Sequence, residues 1–147
     1  MISHYAPTYE ESKELTVDEW IFVLKLTTMW SFAKLRRVAI DSLTPLLQLE
    51  DPVRWISLAR KYDVHEWLFP SLHALARRTK AQQLDEVAEL GIATVVKMAE
   101  VRESYVANVN YSNNYQRVTT RSQHNFETEI RRLFREELKV ADQHHHY

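Results

Sequence analysis

The chain has 147 residues, 19 of them basic and 20 acidic, with 45% hydrophobic and 11% aromatic content, one glycine, four prolines and no cysteine. That length and apolar content describe one folded domain, or a domain with a tail, and exclude a disordered chain. No disulfide, thiolate zinc site or cysteine nucleophile can form, the balanced charge argues against broad electrostatic binding to DNA or an anionic membrane, and a single glycine leaves too little turn chemistry for an all-β fold.

In chain order, residues 1–15 read as an extended segment, with Pro7 disfavouring helix at Ala6. Thr16 with Glu19 three residues later forms a capping box, and Trp20, Val23, Leu24, Thr27 and Trp30 follow at helical spacing, which predicts a helix over 17–30. Ser31 is expected to cap the next helix, whose stripe is Leu35, Val38, Ala39 and Ser42. "LTPLLQLED", containing Pro45, reads as a linker or one short turn. Asp51-Pro52 starts a helix carrying Val53, Ile56, Leu58, Ala59 and Tyr62. Asp63 with Glu66 opens another that runs towards Arg78 and is expected to be kinked or split by Pro70.

After a break at "TKAQQ", Leu84–Leu90 is a short helix stopped by Gly91, and Ile92 to about Val109 a longer one. Residues 111–124 have no clean period and read as a loop. A last amphipathic helix over 125–140 lines Phe126, Ile130, Leu133, Phe134 and Leu138 on one face, with Glu127–Arg131 and Arg132–Glu136 as i,i+4 pairs on the other. Residues 141–147 form a polar, His-containing tail. The expectation is an all-α fold of stacked antiparallel helical hairpins, about six to seven helices with no substantial sheet, in which 16–110 form the hairpin domain.

"LTTMWSF" and "LARKYDV" lie 32 positions apart and coincide in chemistry: Trp30 falls on Tyr62, Ser31 on Asp63 and Phe32 on Val64. Each marks a corner between two helices, and hairpins of this kind bury one another's apolar faces. Two copies are too few for a solenoid, which needs at least three.

Three segments carry a family resemblance: "LTVDEWIFVLKLTTMWSFAKLRRVAIDSL", "DPVRWISLARKYDVHEWLFPSLHALARR" and "LDEVAELGIATVVKMAEVRE". Their order and spacing over 16–103 resemble the helical part of fungal BTB/POZ-domain proteins, namely the end of the BTB fold and the BACK-like region beyond it. By this resemblance the chain is expected to be the carboxy-terminal portion of such a protein, or a small relative without the front half. The resemblance implies a protein-interaction role and a cullin ubiquitin-ligase scaffold as partner of the hairpin at 52–78. The contact residues chosen there, apolar and near the corner, are Trp55, Leu58, Tyr62, Trp67 and Leu68.

No residue set points to catalysis, a cofactor or a metal. A lone glycine at 91 rules out GxxxxGK[ST], GxSxG and GxGxxG, and no HExxH or EF-hand loop occurs, so an enzyme is not expected. His65 and His73 stand eight residues apart, about 12 Å along a helix, too far to share a metal without other ligands. His144–His146 would bind nickel or zinc as any such run does. Arg36-Arg37, Arg60-Lys61 and Arg77-Arg78, with Tyr105, Tyr111, Tyr115, Arg117 and Arg121, offer a nucleic-acid reading, but cations near helix carboxyl termini explain the arginine pairs as well. With net charge −1, nucleic acid is not the expected partner.

In the resembled family the first hairpin packs against the BTB core. Without it, the face of Trp20, Val23, Leu24 and Trp30 is expected to be partly exposed and to drive homo-oligomerisation. The alternative function is therefore a structural or regulatory self-association domain with no ubiquitin role. No signal peptide or membrane-length apolar run is found, so a cytoplasmic or nuclear location is expected, with no membrane partner.

Overall fold

The computed structural model describes residues 14–111 and 120–143. Among them the chain is all-α, with eight α-helices, two 3-10 turns and no strand. Two compact units emerge, residues 1–43 and 44–147. The expected extended segment falls mostly outside the described residues, which begin at Glu14, and so do much of the expected 111–124 loop and the last four residues of the tail.

Helix α1 spans Val17–Met29, begun as expected by Thr16, whose Oγ1 accepts from the Glu19 N–H at 3.2 Å. Leu24 and Thr27 are its buried residues, and the Thr27 hydroxyl donates back to the Val23 and Leu24 carbonyls, so its burial leaves no unmet donor. Helix α1 ends in a tight corner. Trp30 N–H donates to Leu26 O at 3.0 Å, Phe32 N–H to Thr27 O at 2.9 Å, and Ser31 between them has φ +57°.

Helices α2, Ala33–Leu47, and α3, Pro52–Lys61, follow. At the end of α3 the same corner recurs: Tyr62 N–H donates to Leu58 O at 3.0 Å, Val64 N–H to Ala59 O at 2.9 Å, and Asp63 has φ +55°. The bonds from Phe32 to Thr27 and from Val64 to Ala59 are the six-to-one bonds of a Schellman stop. The repeat at offset 32 is therefore a repeat of backbone geometry. The expected roles of Ser31 and Asp63 are corrected: neither caps the helix after it. Both take the left-handed position that ends the helix before it, a position where short polar side chains are tolerated and β-branched ones are not.

Two prolines also behave differently from expectation. Helix α2 continues through Pro45 to Leu47, where a linker or one short turn was expected. Proline's φ is already helical, and the one backbone bond it forfeits would have gone to Asp41, an exposed residue. Leu43 and Leu47, one turn apart and both fully buried, give the helix a reason to continue past it. Pro70 was expected to kink or split its helix. The segment is divided, but before Pro70: a 3-10 turn at His65–Trp67 precedes helix α4, Leu68–Arg77, so Pro70 sits in the first turn, where its missing N–H has no intrahelical partner to lose.

Helix α3 opens as the Asp51-Pro52 pair predicts, with Asp51 Oδ1 accepting from Val53 N–H at 3.0 Å. Helix α5, Leu84–Leu90, ends at Gly91, and helix α6, Ile92–Tyr111, begins at once. Gly91 N–H closes α5 on Val87 O at 2.9 Å, while its own carbonyl accepts from Val95 N–H at 3.2 Å to open α6. Its φ of +84° with ψ of 148° is a backbone state that essentially only glycine adopts, and an added Cβ would meet nothing within 4 Å. The requirement is one of backbone conformation, not space. Gly91→Ala is expected to lose about 1–3 kcal/mol, read as a lower urea midpoint with unchanged m.

The C-terminal stripe is found as expected, with Phe126, Ile130, Phe134 and Leu138 buried. The single helix expected over 125–140 is divided at Phe134 (φ −101°, ψ 22°) into α7, Glu127–Leu133, and α8, Arg135–Gln143. Glu127 and Arg131 pair at 2.9 Å as expected. Arg132 does not pair with Glu136, which lies beyond the break, and binds Glu100 and Glu129 instead. Within residues 44–143, α4 is the central helix, packed on α3, α6, α7 and α8. The core there joins Val53 and Ile56, Leu72 and Leu75, Met98 and Val101, and the C-terminal stripe.

Candidate interaction surface

The five residues read as partner contacts, Trp55, Leu58, Tyr62, Trp67 and Leu68, are each at most 8% exposed. They are interior side chains in this fold, which corrects their assignment to a surface. Trp67 also donates its indole N–H to Thr44 Oγ1 at 2.8 Å, the bond a buried tryptophan needs. A sequence signal for this burial exists. Apolar residues at 53, 55, 56, 58, 59 and 62 cover more than one stripe of α3, and a helix apolar on most sides lies inside. At the α3–α4 corner the exposed side chains are Lys61, Asp63 and Glu66.

The face expected for self-association divides. Leu24 is fully buried, Trp20 and Val23 are half-buried, and Trp30 is 58% exposed. Leu24 is thereby removed from any docking face. Other large apolar side chains take its place: Phe22, Met29, Phe32, Leu35 and Val38 all stand about half or more exposed. In α1 they occupy the row Asp18, Phe22, Lys25, Met29, on the side away from Leu24 and Thr27. In α2 the buried row is Ala39, Ile40, Leu43 and Leu47, so the expected stripe divides: Ala39 is buried while Leu35 and Val38 are about half exposed. Both helices carry apolar residues on two sides, and periodicity alone cannot say which side is covered.

The rings of Trp30 and Phe32 meet edge to face at 6.1 Å, fixing an aromatic pair at the α1–α2 corner. Two shallow recesses lie within residues 14–43, the second of them at this corner. One, of about 410 Å³, is lined by Leu15, Asp18, Glu19, Phe22 and Val23, and the other, of about 430 Å³, by Ser31–Leu35.

The arginine pairs at helix ends do structural work. Arg60 grips both carboxylate oxygens of Glu137 at 2.7 and 3.0 Å and donates to Leu90 O, so it ties α3 to α8 and to the end of α5. Arg77 donates to His124 O at 2.8 Å. Arg78 binds Glu86 and Asp51 together. Arg37 pairs with Asp41, and Arg36 donates to Thr28 Oγ1. This placement disfavours a nucleic-acid stripe built from these pairs. Tyr105 stacks on Arg121 at 5.6 Å, while Tyr115 and Arg117 fall outside the described residues, as does the side chain of Tyr111.

His73 Nε2 accepts from Phe126 N–H at 3.1 Å and sits between the Phe69 and Phe126 rings. Burial first, then the Arg77 charge, push its pKa below the ordinary histidine value, consistent with a neutral acceptor ring. His65 lies 3.9 Å from Asp63 and lines a pocket of about 220 Å³ with Arg60, Leu68 and Glu137. Among the described residues no group of three His, Asp or Glu side chains is placed to hold a metal ion. No helix of the described residues is long and apolar enough to cross a membrane.

Comparison with family models, with curated proteins and with solved structures gives no match for this chain. What the structure defines is the class: an all-α chain with an exposed apolar face on its first two helices.

Proposed function

We propose that the chain is a non-enzymatic, helical protein–protein interaction module that docks through α1 and the start of α2. One observation carries this reading: Phe22, Met29, Trp30, Phe32, Leu35 and Val38, within seventeen residues of sequence, all stand about half or more exposed. Apolar patches beyond a few hundred Å² mark interaction sites, and aromatic side chains that each bury about 150–250 Å² when covered bring this face to that size. The resemblance to the helical region of BTB/POZ adaptors supports the same class of function.

The favoured occupant is a second copy of the chain. A twofold interface must be self-complementary. In α1, Asp18 and Glu19 lie one turn before Phe22 and Lys25 lies one turn after it, so two antiparallel α1 helices crossing at Phe22 place each Lys25 opposite the other copy's acidic turn. Size-exclusion chromatography with light scattering is expected to return a dimer, and a monomer at high concentration overturns the reading. Trp30→Ala and Phe22→Ser are each expected to weaken the dimer by about 1–3 kcal/mol while far-UV circular dichroism stays unchanged. A cullin scaffold remains the partner implied by the resemblance. With the five apolar corner residues inside, its contacts would fall on Lys61, Asp63 and Glu66, and a pull-down with a cullin amino-terminal domain tests that arm.

A further inference from the structure

We infer that His73 is an acid-sensitive latch: its neutral imidazole holds the entry of α7 against α4, and protonation of the ring releases that entry. The latch uses no residue of the docking face on α1 and α2. Its central contact is the hydrogen bond from Phe126 N–H to His73 Nε2, at 3.1 Å. Phe126 is 1% exposed and stands just before the first turn of α7, so no carbonyl of that helix accepts its N–H. A ring nitrogen that accepts a hydrogen bond carries no proton of its own, whereas an imidazolium donates from both nitrogens. Protonation of His73 therefore sets donor against donor and leaves the N–H of a buried residue unmet.

The groups around the ring favour its neutral form. On α4, the Phe69 ring lies 5.5 Å away and Arg77 one turn on. Ahead of α7, the Phe126 ring lies 6.3 Å away, and the His124 ring packs between Phe126, at 4.5 Å, and Tyr105 of α6, at 5.3 Å, which Arg121 covers. Glu127 and Arg131 approach from α7. Burial first, then the Arg77 charge, disfavour an imidazolium at His73, and a charged His124 would act in the same direction. The His124 carbonyl and Glu127 oppose them, but the carbonyl already accepts from Arg77 at 2.8 Å and Glu127 is held by Arg131 at 2.9 Å. Arg131 also stands 4.6 Å from the Phe69 ring, so the aromatic neighbour of His73 already carries a cation. A histidine with a lowered folded pKa contributes fully above its unfolded value, about 6.5, and that contribution is lost as pH falls through the folded value.

The test follows, by NMR on the full chain, the His73 ring shift and the hydrogen-exchange protection factor of the Phe126 amide as pH is lowered from above about 6.5 to about 5. The Phe126 protection factor is expected to fall at least tenfold in step with the ring titration. That of the Gly91 amide, bonded to Val87 O, is expected to stay constant. His73→Gln supplies an amide oxygen that accepts but does not titrate, and is expected to keep Phe126 protected across the range. His124→Gln is expected to leave the loss in place. Should His73→Gln fail to fold, the coincidence of the two titrations in the wild type, and its persistence in His124→Gln, decide. Four results each overturn the latch: Phe126 protection that stays constant while His73 titrates, a ring that stays neutral until the whole chain unfolds, a loss that survives His73→Gln, or one that vanishes in His124→Gln.

Discussion

Replacing Arg78 with Met is expected to cost on the order of 3 kcal/mol, among the largest single losses available in this chain. The Arg78 side chain is 11% exposed and faces Glu86, itself 9% exposed, with Nη–Oε distances of 3.0 and 2.8 Å. The same guanidinium reaches Asp51, the residue that caps α3, and the carbonyls of Lys80 and Ala81. One side chain thus joins the end of α4, the start of α3 and the first turn of α5. Methionine keeps much of the stem's packing and removes the charge, so Glu86 is left buried without its partner, which is the expensive half of the change. Arg78→Lys should fall between, because an ammonium cannot fork to both Glu86 oxygens while reaching Asp51.

The pH dependence follows from Glu86. Its hydrogen bonds from Arg78 hold the carboxyl below the usual carboxylate range, against the opposing effect of burial. A carboxylate with a lowered folded pKa stabilises the protein fully above its unfolded value, about 4.3, and that contribution is lost as pH falls through the lowered folded value. The gap between wild type and Arg78→Met should therefore be widest near neutral pH and close on acidification. Urea melts at several pH values would show it, and a gap that stays constant down to pH 3 would refute the assignment.

Trp67→Ala is expected to lose about 3–5 kcal/mol, the range for truncating a fully buried aromatic. A surface contact residue would instead lose partner binding and leave stability nearly untouched. This substitution thus separates the interior position seen here from the contact role that the corner sequence suggests. Trp67→Phe should cost less, since the ring volume is mostly kept and only the indole donor to Thr44 disappears. Thr44→Val makes the reciprocal change, leaving a buried indole N–H without an acceptor at a cost of about 1–3 kcal/mol. If Trp67→Ala melts like wild type, the packing described here is wrong at its most buried tryptophan.

Much of the fold was legible from the residues. The start of α1 at Thr16, the start of α3 at Asp51-Pro52, the stop at Gly91 and the Phe126–Leu138 stripe all follow from chemistry acting over four residues or fewer. The correspondence of Trp30-Ser31-Phe32 with Tyr62-Asp63-Val64 was legible too, although its meaning was not. Both triplets suit either a helix cap or a helix stop, and only the backbone, turned to positive φ at Ser31 and Asp63, selects the stop.

The exposed apolar face was the least legible part, for a definite reason. By its own residues the sequence determined that these helices are amphipathic and where most of them begin and end. It could not determine which apolar side of α1 and α2 is covered, because Leu24 and Phe22, or Leu43 and Leu35, are equally apolar and differ only in what surrounds them. Nor could it show that Arg60 meets Glu137, 77 positions away, or that Arg78 gathers three helix ends. Those choices belong to the tertiary structure, since burial and ion pairing depend on neighbours brought together by the fold, whereas capping and periodicity depend on neighbours in the chain.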